Sequence, residues 1–70
     1  MVHMAVEKNY SDWLQVIRDN KSKTKANDMK GEIGTALKTI DKMYGHGAAN
    51  RAMAQCELPE LGWKNFEELI

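Results

Sequence analysis

The chain has 70 residues, with ten basic and ten acidic side chains, 43% hydrophobic residues and a single cysteine. A chain this short makes one small domain whose core supplies rarely more than about 3–5 kcal/mol of net stability. The lone Cys56 excludes an internal disulfide, and the sequence has no apolar run of the ~18 residues that a transmembrane helix needs.

Residues 1–8 show no periodicity and are expected to fray. The pair His3-Met4 is what a common cloning site encodes, so residues 1–3 are expected to be a vector remnant, with Met4 the native start. No hydrophobic signal core precedes the first helix. A helix is predicted over residues 11–20, capped by Ser11 and opened by Asp12 at the positive end of its dipole. Trp13, Leu14, Val16 and Ile17 share one face of it.

Residues 18–25 form a polar connector, in which Arg18, Lys21, Lys23 and Lys25 outweigh Asp19. No aromatic side chain is interleaved for base stacking, so a solvated loop is the expected role.

The longest regular pattern runs from Ala26 to Tyr44. Ala26, Met29, Ile33, Ala36, Ile40 and Met43 recur at helical spacing, widened by Leu37 and Tyr44. The stripe stays in phase through Gly31 and Gly34. One continuous central helix at about 25–44 is therefore predicted, with Thr24 or Asn27 as its N-cap; a turn at 31–34 before a main helix at 34–44 is the other reading. Gly45 suits the residue that ends it, Gly47 a tight re-entry, and residues 48–57 a third, alanine-rich helix. Pro59 breaks the pattern. Trp63, Phe66, Leu69 and Ile70 then predict a short fourth helix over residues 63–70.

The expected fold is all-α, a small bundle of three to four short helices around the central one, in a single domain spanning residues 1–70. The predicted core is Trp13, Leu14, Ile17, Ile33, Leu37, Ile40, Tyr44, Met53, Trp63, Phe66 and Ile70.

Chemistry is sparse. His46 and Cys56 are ten residues apart, roughly 15 Å along a helix, which is too far for a nucleophile–base pair. His3, His46 and Cys56 are too few and too scattered for a structural zinc site. Glu67 and Glu68 are adjacent and point to different sides of a helix. The glycines of GEIG and YGHG lack the Gly-Lys-Ser/Thr ending or the preceding strand of phosphate-binding loops. The chain is thus expected to be no enzyme, to hold no cofactor or metal, and to reside in the cytoplasm, which suits a single thiol.

The leading expectation is a protein–protein interaction module, a small regulator or inhibitor of bacterial or phage type. Trp63, Phe66 and Ile70, at i, i+3 and i+7, are its candidate partner-binding residues. The same three side chains are also what so small a core needs. One alternative is a helix-turn-helix DNA-binding protein over residues 34–57, using Asn50, Arg51 and Gln55 on bases and Lys21, Lys23 and Lys25 on phosphates. Zero net charge argues against it. A second alternative is self-association along the central stripe into a homo-oligomer. The charge is uneven: Arg51 and Lys64 face Glu57, Glu60, Glu67 and Glu68 in residues 45–70, while the basic residues gather before them.

Overall fold

The computed structural model describes residues 8–70 and is all-α among them. The order is α1 (Tyr10–Asn20), a 3-10 turn (Lys21–Lys23), α2 (Glu32–Tyr44), α3 (His46–Gln55), a second 3-10 turn (Pro59–Leu61) and α4 (Phe66–Leu69). The expected fraying of residues 1–8 and the remnant at 1–3 lie outside the described residues, apart from Lys8. Its ammonium sits 5.2 Å from the centre of the Trp13 ring.

Helix α1 starts one residue earlier than expected, and its cap is Asn9 rather than Ser11. The Asn9 side chain accepts from the Asp12 amide at 2.9 Å. Asp12 returns the contact by accepting from the Asn9 amide at 3.1 Å. This reciprocal box needs an acid three residues after the cap, which Asp12 is for Asn9 and not for Ser11. At the other end, Asn20 donates to the Val16 carbonyl and the Thr24 hydroxyl to the Asn20 carbonyl, both at 2.8 Å, so the closing carbonyls find partners.

The continuous helix at 25–44 is not formed. Helix α2 begins at Glu32, close to the other reading of a turn before a shorter main helix. Neither Thr24 nor Asn27 caps it; Gly31 does so with extended backbone and no side-chain bond. Asn27 instead takes the left-handed conformation (φ +67°). Its side chain reaches the far end of the chain, accepting from the Lys64 amide at 2.7 Å and donating to the Gly62 carbonyl at 3.3 Å. A helix through Asn27 would forfeit both contacts. Ala26 is exposed and Met29 half-buried, so the stripe is truly buried only from Ile33 to Ile40.

Gly45 alone joins α2 to α3. Its amide closes α2 onto the Asp41 carbonyl at 2.8 Å, and its carbonyl accepts from Ala48 and Ala49, both at 3.1 Å. Its backbone angles, φ +99° and ψ +170°, lie in a region that essentially only glycine occupies. So α3 starts at His46 rather than residue 48, and Gly47 lies within its first turn. Ala48, Ala49 and Ala52 are buried, and their small side chains let α3 lie close against α2.

Helix α3 ends in a complete Schellman motif. The Leu58 amide donates to the Met53 carbonyl and the Glu57 amide to the Ala54 carbonyl, both at 3.0 Å. Glu57 fills the left-handed position (φ +63°) that is usually glycine. The buried pair Met53 and Leu58 makes the hydrophobic contact that goes with this motif. Helix α4 is shorter than the expected 63–70; Trp63 precedes it, and Asn65 caps it by accepting from the Glu68 amide at 3.2 Å.

Of the predicted core, Leu14, Ile17, Ile33, Leu37, Ile40, Met53, Trp63 and Phe66 are buried. Trp13 is only partly so, and Tyr44 and Ile70 stay outside. Ala36, Ala48, Ala49, Ala52, Cys56 and Leu58 complete the core.

Candidate functional site

The expected anchor stripe on the C-terminal tail is divided. Trp63 is 4% exposed, Phe66 is fully buried and Ile70 is 62% exposed. Trp63 also lies outside α4, so the three residues do not form one helical face. Two of the three side chains are therefore structural, and only Ile70 meets solvent.

The residues assigned to bases and phosphates are also dispersed. Asn50 accepts from the Phe66 amide at 2.7 Å and donates to Glu67 Oε1 at 2.8 Å, tying α3 to α4. Gln55 accepts from the Tyr10 hydroxyl at 2.7 Å, tying α3 to α1. Arg51 is exposed between them. Lys21 Nζ donates to the Cys56 carbonyl at 3.0 Å and meets Glu57 at 3.5 Å, which places a cation at the closing end of α3. Lys23 and Lys25 are exposed. Two of the three proposed base readers thus hold the fold together, while Arg51, Lys23 and Lys25 are open to solvent.

His46 and Cys56 stay apart in their contacts. The Cys56 thiol is buried and donates to the Leu14 carbonyl at 3.6 Å. Burial pushes its pKa up, against the opposing pull of Arg18 and Lys21, so it is a poor nucleophile. His46 Nδ1 is bonded to Asp41 Oδ1. Among the described residues no three histidine, cysteine or acidic side chains are gathered to hold a metal. None of the described helices is long and apolar enough to cross a membrane.

The feature with the most definite surface geometry is the end of α2. Its apolar stripe continues past the buried Ile40 to Met43 and Tyr44, which are 43% and 47% exposed. The α2 face is covered by α1 on one side and α3 on the other, but the cover stops one turn before the helix does. The Tyr44 ring is not loose. The Tyr10 ring meets it edge-on at 5.8 Å between centroids and 88° between planes. Tyr10 is in turn held by its hydroxyl on Gln55. Three helices therefore fix an aromatic side chain that stands half in water. The periodicity pointed to Met43 and Tyr44 as stripe members; only the placement of α1 and α3 shows that they are left uncovered.

Comparison of the chain with protein-family models, with curated proteins and with solved structures found no match.

Proposed function

We propose that the chain is a non-enzymatic protein-binding module, a small regulator or inhibitor that acts by occupying a surface on a macromolecular partner. The observation that carries this reading is the pair Met43 and Tyr44, half-exposed at the end of an otherwise buried stripe. Large apolar side chains held at the surface are what interfaces use. Tyrosine and methionine are enriched there, and a side chain already held in place loses less entropy on binding. The Tyr10–Gln55 brace supplies that rigidity to Tyr44.

The test is a comparison of wild type with the double substitution Met43→Asp and Tyr44→Asp, first shown by circular dichroism to keep its helices. A protein retained by immobilised wild type and lost from the folded double variant supports the reading. Retention of duplex DNA with a steep loss as salt rises would replace it with the DNA-binding alternative. A dimer that the same two substitutions dissociate would replace it with self-association.

A further inference from the structure

His46 stands where three helices meet. It is the first residue of α3, its Nδ1 is bonded to Asp41 in the last turn of α2, and its ring lies 5.5 Å from that of Phe66, the first residue of α4. The imidazole is about half exposed, while the Phe66 ring beneath it is fully buried. Helix α4 has four residues, and a helix so short has no stability of its own. It stays in place through the Asn65 cap, the burial of Phe66 and the two bonds to Asn50.

We propose that His46 is a proton-operated latch on the C-terminal segment: the charged imidazolium, set between Asp41 and Glu67 and against the Phe66 ring, holds α4 down, and loss of its proton lets residues 66–70 open more often. The charged imidazolium attracts the Glu67 carboxylate and the face of the Phe66 ring; the neutral ring loses both attractions. The charged groups about it are Asp41 from α2, Glu67 from α4 and, on α3 itself, Arg51, whose guanidinium reaches back over Gly47. Arg51 and the positive end of the α3 dipole oppose the charge on His46, and Asp41 and the closing end of α2 favour it. These groups set the pH at which the proton leaves. They do not alter what its departure does to α4, because none of them belongs to α4.

The sign is therefore tight on the acid side of the imidazole titration and looser on the alkaline side. The acid limit of the window is Glu67. Its carboxyl is held below the ordinary range by the Asn50 side chain first, then by its own amide and by His46, with a small opposing effect of burial.

The experiment is an NMR titration of the whole chain from about pH 5 to 8.5, across the range in which an imidazole ordinarily titrates. Cα secondary shifts of residues 66–69 report helix α4, and ring shifts report His46. The ratio of docked to open α4 is expected to fall about 1.5- to 5-fold on deprotonation, the size a partly exposed charge contact supplies. Its midpoint should coincide with that of the His46 ring. His46→Gln, with a neutral amide, should remove the step. Glu67→Gln keeps an oxygen for Asn50 and should shrink the step, which gives a second variant at an exposed position. A step absent from the wild type, unchanged in either variant, or of opposite sign would overturn the latch.

Discussion

The Met29 carbonyl lies against the backbone of Gly34 so closely that a β-carbon on Gly34 would sit 2.0 Å from that oxygen. The chain before α2 folds back over the helix's first turn, and only a residue without a side chain admits it. The contact is with backbone, which cannot rotate away. Gly34→Ala is therefore expected to cost about 2–4 kcal/mol, the range of overpacking and backbone displacement. Gly31→Ala, which meets nothing within 4 Å, should cost no more than about 1 kcal/mol. Urea unfolding of the two variants checks the difference.

Asn50 is the second structural hinge. It is the acceptor for the Phe66 amide and a donor to Glu67, so one side chain fastens α4 to α3. Asn50→Ala should cost about 1–2 kcal/mol, because the part-buried Phe66 amide is left without its partner. Weaker Cα secondary shifts over residues 66–69, with α1 and α2 unaffected, would show that the loss is local.

Glu57 can be improved upon. It occupies a left-handed position at the close of α3, which costs an L-residue roughly 1–2 kcal/mol relative to glycine. Its exposed contact with Lys21 at 3.5 Å is worth less than that. Glu57→Gly is accordingly expected to raise stability by about 0.5–1 kcal/mol, read as a higher urea midpoint at unchanged slope.

Acid should loosen the same α3–α4 junction. The pKa of Glu67 is lowered in the folded chain, chiefly by the Asn50 side chain. A carboxyl lowered on folding adds stability that is fully present above its unfolded pKa and is lost as pH falls through the folded value. The α4 signals should thus weaken below the ordinary carboxylate range in the wild type. In Asn50→Ala that acid step should diminish; an undiminished step would assign it to another group.

The sequence made the middle of α2 legible and left its ends obscure. Ile33, Leu37 and Ile40 recur at helical spacing because they do face one core. Ala26 and Met29 keep the same phase by coincidence, since the segment that holds them is bound by the tertiary contacts of Asn27 with residues 62 and 64. No local pattern encodes a contact across such a separation. Leu58 looked like part of a proline turn; its burial follows from the Schellman closure of α3 with Glu57 in the glycine position. Asn9 and Asp12 did carry a readable signal, an acid three residues after a capping side chain.

The candidate site was legible as composition and not as surface. Spacing identified Met43 and Tyr44 as members of the stripe, but periodicity cannot say where the covering helices stop. It also placed Trp63 and Phe66 together as anchors, when both are needed inside. The roles of Asn50 and Gln55 as fasteners depend on which helices meet, which side-chain type alone does not disclose.

The account stands on a division within one helix: Ile40 holds the fold, while Met43 and Tyr44 are surplus to it. Unfolding free energies of Ile40→Ala and Met43→Ala measure this directly. Ile40→Ala should lose about 2–5 kcal/mol, enough to unfold much of so small a domain, and Met43→Ala less than about 1 kcal/mol. Equal losses at the two positions would contradict the account, since Met43 would then belong to the core and not to a surface left open for contact.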